Sequence, residues 1–137
     1  MLKPNSVNLE RKSSMHTIRA NFGIYLNIRQ GCIYVVGGDT GPCSQTYKTE
    51  AYCLLTDRWT NLPNIGDIRA GMGLCMLNDQ YLYSFGGYSK QHGEVPLLNI
   101  IERLNVKTKL FWEQVHLTMP SPAIDIGCIQ AGVNEIL

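Results

Sequence analysis

Gly31-Cys32-Ile33-Tyr34-Val35-Val36-Gly37-Gly38 decides the fold, because the chain says nearly the same thing again at Gln80-Tyr81-Leu82-Tyr83-Ser84-Phe85-Gly86-Gly87. Each stretch is a short β-branched and aromatic run, as a pleated half-buried strand favours, closed by two glycines. The surroundings repeat with it and in the same order. Ile18-Arg19-Ala20-Asn21-Phe22-Gly23 returns as Ile68-Arg69-Ala70-Gly71-Met72-Gly73, Glu50-Ala51-Tyr52 as Glu102-Arg103-Leu104, and Trp59 as Trp112. Four landmarks spaced by about 50 residues mark an internal structural repeat. A third copy opens at Ala123-Ile124-Asp125-Ile126-Gly127-Cys128-Ile129, which repeats the glycine and cysteine of Ala70–Met76.

The spacing places strands at residues 21–28, 32–36, 50–55 and 58–62 in the first copy, and at 72–77, 81–85, 100–105 and 111–117 in the second. Turn residues separate them: Arg29-Gln30-Gly31, Thr56-Asp57, Asn78-Asp79 and Val106-Lys107-Thr108. No segment carries a sustained apolar stripe of helical period, so helix is expected to be scarce.

A diglycine, a later aromatic and a tryptophan at this period resemble the kelch family, over nearly the whole chain from Ile18. The first copy follows the pattern closely through Gly37-Gly38, Glu50, Tyr52 and Trp59. The second departs from it with Leu104 in place of the tyrosine and one extra residue before Trp112. The resemblance implies an all-β chain: a kelch-type β-propeller fragment of two four-stranded antiparallel blades plus the start of a third. The divisions are a polar lead-in at 1–17, repeats at 18–62 and 63–117, and a partial repeat at 118–137. Gly37, Gly38, Tyr52, Trp59, Gly86, Gly87 and Trp112 then form the structural repeat motif. The aromatics pack between blades, the glycines adopt conformations closed to other residues, and Arg19 and Arg69 bond carbonyls or a carboxylate such as Glu50 or Glu102. Propellers close with about four to eight blades, so two and a part imply a truncated piece, further kelch blades elsewhere, or self-association into a ring.

Composition narrows the function. The 137 residues carry a net charge of only +1, which leaves no electrostatic surplus for nucleic acid or an anionic membrane. No apolar run approaches the roughly 20 residues of a membrane span, and a cytoplasmic location is expected. Five scattered cysteines without a CxxC pair indicate neither a disulfide framework nor a zinc site, and the four that sit in apolar runs are expected to behave as small core hydrophobes. His16, His92 and His116 are equally dispersed, so no cofactor or metal is expected.

What the repeats do not share are the loops after each diglycine, Asp39–Thr49 and Tyr88–Asn99, which in a kelch blade emerge on the same face as Pro63–Asp67 and Thr118–Pro122. Variable loops on a repeated scaffold are where recognition concentrates. Tyr47, Lys48, Tyr88, Lys90 and His92 are the candidate contacts, since aromatics and cations make good anchors. The resemblance implies a non-catalytic protein–protein interaction module, a scaffold or adaptor whose partner the residues do not name. Two alternatives stand beside it: a fragment without independent function, and an enzyme. Some kelch-like propellers do catalyse, copper oxidases among them, but these residues show neither a Tyr/His ligand cluster nor a nucleophile–base pair.

Overall fold

A computed structural model of the chain describes residues 9–91 and 96–129. Among the described residues ten strands follow one another: β1 (Gly23–Asn27), β2 (Cys32–Val36), β3 (Asp39–Gly41), β4 (Ser44–Gln45), β5 (Thr49–Cys53), β6 (Arg58–Leu62), β7 (Gly73–Leu77), β8 (Tyr81–Phe85), β9 (Ile101–Asn105) and β10 (Trp112–Gln114). They form two four-stranded antiparallel sheets, ordered β1-β2-β5-β6 and β7-β8-β9-β10, and a small β3-β4 hairpin. The fold is all-β, and no helix occurs among the described residues.

The strands are shorter than the expected 21–28 and 111–117. Asn21 takes a left-handed φ of 51°, which an extended strand excludes, so β1 starts only at Gly23. After β10 the ladder makes one more bond, from Val115 N–H to Ile101 O at 2.9 Å, before the chain leaves toward Met119. The loop Asp39–Thr49 holds the β3–β4 hairpin, with Asp39 opposite Gln45 and Gly41 opposite Ser44.

The apolar core lies between the two sheets. Tyr34, Val36 and Leu62 of the first sheet, with Ile65 of the connection, meet Met72, Leu74, Met76, Leu82, Leu104 and Trp112. Burying each such side chain stabilises by about 1.5–3 kcal/mol, so the interface between sheets is what neither sheet can supply alone. Trp112 seals it: its indole N–H donates to Pro63 O at 3.0 Å and to Thr49 Oγ1 at 3.2 Å. Trp59 faces the other way. Its ring packs tilted against Tyr52 with centroids 5.0 Å apart and donates to Ser13 O at 2.8 Å, so residues of the polar lead-in contact the tryptophan that was expected to pack between blades.

The inner strands crowd together. A Cβ on Gly23 would lie 2.8 Å from Leu74 Cγ, and one on Gly73 would lie 2.6 Å from Cys128 Sγ. Cys128 therefore stands where Leu74 stands in the preceding copy, not where Cys75 does, which moves the expected cysteine match by one residue. Asn21, Gly71 and Asp125 are equivalent left-handed positions, and Gly71 N–H to Asn21 O (2.7 Å) and Asp125 N–H to Gly71 O (2.9 Å) link the three copies in series.

Candidate functional site

The diglycines position the loops. Gly37 closes the β2–β5 ladder through its N–H to Lys48 O at 3.0 Å, and Gly38 donates across to Arg69 O of the next copy at 3.0 Å. Gly86 and Gly87 do the same, to Ile100 O at 2.9 Å and Ala123 O at 2.8 Å. All four have positive φ. A Cβ on Gly37 would collide with the Arg69 backbone oxygen, and one on Gly86 would lie 2.7 Å from Ala123 O. Two glycines in a row are needed because one side of the turn faces its own copy and the other faces the next.

A buried arginine of each copy pairs with a buried glutamate, and Arg19 also braces its turn from below. The Arg19 guanidinium donates to Gly37 O (2.9 Å), Lys48 O (2.7 Å) and the Glu50 carboxylate. Arg69 donates to Glu102 Oε2 (2.8 Å) and Ser84 Oγ (3.0 Å). Both carboxylates also accept a backbone N–H, from His16 and Gly66 respectively. This is the carbonyl-and-carboxylate role expected of the repeated arginines.

Above this base, the residue after each diglycine is Asp39 in one copy and Tyr88 in the other, and the two meet. Asp39 pairs with Ala20, and Tyr88 with Ala70, as matching antiparallel bridges. The Tyr88 hydroxyl donates to Asp39 Oδ2, as does Asn21 Nδ2 at 2.8 Å. Lys90 Nζ lies 2.9 Å from Asp39 Oδ1, which also accepts from Gln45 Nε2 at 3.2 Å. Burial alone would raise the Asp39 pKa, but these bonds, led by Tyr88 and Asn21, together hold it down to about 2. The Lys90 pKa is raised in turn by its bond to Asp39. Gln45 works as a splint: its Oε1 accepts Lys90 N–H at 2.8 Å and its Nε2 donates to Tyr88 O at 3.2 Å. Lys90 Nζ also reaches Pro42 O at 3.3 Å, over the hairpin tip. Two loops with unlike sequences thus become one continuous surface.

The candidate contacts separate into two kinds. Tyr47 is 43% exposed and Lys48 is exposed, while their backbones are fixed by Ile65 N–H to Tyr47 O (2.9 Å) and by the bonds to Lys48 O. Their side chains are exposed on a hydrogen-bonded frame. Tyr88 and Lys90 are half-buried and turn their polar ends inward to Asp39, so they build the surface. His92 lies outside the described residues. Asp39, Gln45 and Asn21 hold the site together and were not among the residues singled out in the sequence. The available signal was that Asp39 and Tyr88, an acid and a phenol, occupy the same position of successive repeats.

An open groove of about 350 Å³ runs along the inner strands, lined by Asn21, Phe22, Met72, Asp125 and Cys128 among others. It brings one carboxylate and no histidine. Among the described residues no cluster of three His, Cys, Asp or Glu side chains is placed to hold a metal ion, and no helix is long and apolar enough to cross a membrane.

Comparison with known proteins agrees with this architecture. The family model "Kelch motif" matches residues 28–66. Two curated relatives, each named "Kelch repeat and BTB domain-containing protein 2", come from ectromelia virus (strain Moscow) and horsepox virus. The first is 25% identical over 107 residues, 76% of this chain and 19% of the relative. The second is 28% identical over 108 residues, 77% and 19%. The chain thus spans about a fifth of the length of these relatives. Among solved structures, YjhT, a kelch β-propeller, superposes with a TM-score of 0.71 at 16% identity, covering 88% of this chain and 34% of that one.

Proposed function

Since the chain carries kelch repeats and folds as blades of a kelch β-propeller, we propose that it is a non-catalytic protein-interaction module that binds its partner on the joined surface of the two post-diglycine loops. The observation that carries this reading is the Asp39 network, which draws Tyr88, Lys90, Gln45 and Asn21 from two copies onto one carboxylate. A surface held in one shape loses less conformational entropy when a partner docks. Tyr47 and Lys48 are the anchors of that surface, and Tyr88 and Lys90 frame it. The partner is a protein, and the module acts as a cytoplasmic scaffold or adaptor without a cofactor. The relatives' names join kelch repeats to a BTB domain, a pairing that supports the adaptor role. On the opposite side of the first sheet, Ile24 and Leu26 are 57% and 48% exposed, and a further kelch blade is the covering that such a face fits.

The test is quantitative capture from lysate with the chain as bait, comparing the parent with Tyr47→Ala/Lys48→Glu and with Leu55→Ala at the other end of the sheet. Loss of a central aromatic anchor weakens binding by about tenfold or more. Proteins that drop by this factor on the loop double variant and hold on Leu55→Ala support the reading. An unchanged set of bound proteins refutes it.

A further inference from the structure

Two cysteines that are 21 positions apart in the chain are brought face to face by the first sheet. In the β2–β5 ladder Cys32 stands directly opposite Cys53. The kind of pair they form follows from the bonds at the two ends of that ladder. Leu54 N–H donates to Gly31 O at 2.9 Å, and Gly37 N–H donates to Lys48 O at 3.0 Å. Antiparallel bonds alternate, so the pairs 31/54, 33/52, 35/50 and 37/48 are hydrogen-bonded and 32/53 is not. Opposed residues of a non-hydrogen-bonded pair have Cα atoms about 4.5 Å apart, inside the roughly 4.4–6.8 Å range that a disulfide spans. Their Cβ atoms, at about 4.5 Å, sit at the upper edge of the disulfide range of about 3.5–4.5 Å. A change of rotamer and a few tenths of an ångström close the bond.

From this register we propose that Cys32 and Cys53 are a reversible dithiol–disulfide site, oxidised by a peroxide or by a small-molecule disulfide. Both side chains are half-buried, so an oxidant can reach them. Their surroundings divide the labour. Hydrogen bonds from the Thr56 hydroxyl, the Thr56 N–H and the Leu55 N–H lower the Cys53 pKa, which makes Cys53 the attacking thiolate. Burial raises that of Cys32, whose S–H donates to Gln30 O at 3.5 Å, which makes it the resolving thiol. With hydrogen peroxide, the Cys53 thiolate attacks one oxygen, the O–O bond breaks, and the sulfur becomes a sulfenic acid while hydroxide leaves. The Cys32 sulfur then attacks the Cys53 sulfur, the S–O bond breaks, and the oxygen departs as water with the Cys32 proton. Two thiols and one peroxide yield one disulfide and two waters. With a small-molecule disulfide, Cys53 forms the mixed disulfide and releases one thiol, and Cys32 displaces the second. The remaining thiols lack this arrangement. Cys75 and Cys128 are raised by burial, and Cys43 lies exposed on the hairpin tip with no cysteine opposite it.

The experiment treats the reduced chain, carrying Cys43→Ser, with limiting hydrogen peroxide or oxidised glutathione, alkylates the remaining thiols, and reads intact mass and tryptic peptides. The expected product has lost two hydrogen atoms. It contains the peptide of residues 30–48 joined to that of residues 49–58, and dithiothreitol separates them. The linked peptide is absent from both Cys32→Ser and Cys53→Ser. In Cys32→Ser, Cys53 is trapped by dimedone after peroxide, or stays glutathionylated. The proposal is overturned if Cys75 or Cys128 is oxidised before Cys53. It is equally overturned if Cys53 is oxidised but joined to another residue or another chain, or if neither Cys32 nor Cys53 reacts.

Discussion

Gly31→Ala and Gly37→Ala are the same chemical change at nearly the same backbone conformation, and they should have very different costs. Gly31 has φ +62° and Gly37 has φ +60°, so each new alanine carries about 1–2 kcal/mol for entering the left-handed region. Around Gly31 nothing lies within 4 Å of the new methyl group, and the cost ends there. At Gly37 the methyl strikes the Arg69 carbonyl oxygen and sits 2.6 Å from Met72 Cε. That oxygen accepts Gly38 N–H at 3.0 Å, so moving it aside weakens a bond worth about 0.5–1.5 kcal/mol and overpacks the junction by about 1–3 kcal/mol. Gly37→Ala should therefore destabilise by about 2.5–6.5 kcal/mol against about 1–2 for Gly31→Ala. With a urea slope of about 1–3 kcal/mol per molar, the two midpoints should differ by about 1 M. Urea unfolding followed by tryptophan fluorescence reads the difference directly. Equal midpoints would refute the reasoning, because they would mean that the diglycine serves only its own turn and not the contact with the next copy.

The two tryptophans offer a second contrast. Trp112→Ala empties the sheet interface and should cost about 3–5 kcal/mol, while Trp59→Ala, at a half-exposed position, should cost distinctly less in the same urea assay. Asp39 predicts a pH dependence. Its pKa is held near 2, below the ordinary 3.8, so its contribution to stability is whole above the ordinary value and is lost as pH falls through about 2. The amide signals of Gln45 and Lys90 should shift together over that interval in the parent chain, and Asp39→Asn should remove the transition.

Repetition made the fold legible. A strand closed by two glycines, recurring with its arginine, glutamate and tryptophan, constrains where four strands lie, and β2, β6 and β8 fall at the expected residues. Strand ends were less legible because they depend on single conformations such as left-handed Asn21, which no period announces. The candidate site was only half visible. Exposed Tyr47 and Lys48 could be read from loop chemistry, but the inward engagement of Tyr88 and Lys90 depends on Asp39 lying one copy away in space. Cys32 and Cys53 were hidden for the same reason, since opposition across a ladder leaves no spacing motif in the chain. The third copy shows the limit of local likeness: its cysteine suggested one register, and crowding against Gly73 sets another.

Binding of a partner on the surface shared by the two loops can be read at single-residue level. A photo-crosslinking amino acid placed at position 47, compared with one at exposed Leu55 at the far end of the first sheet, tests it most directly. Binding on that surface should give a discrete protein adduct from position 47, weakened by Lys48→Glu and absent from position 55. An adduct from position 55 with none from position 47 would contradict it.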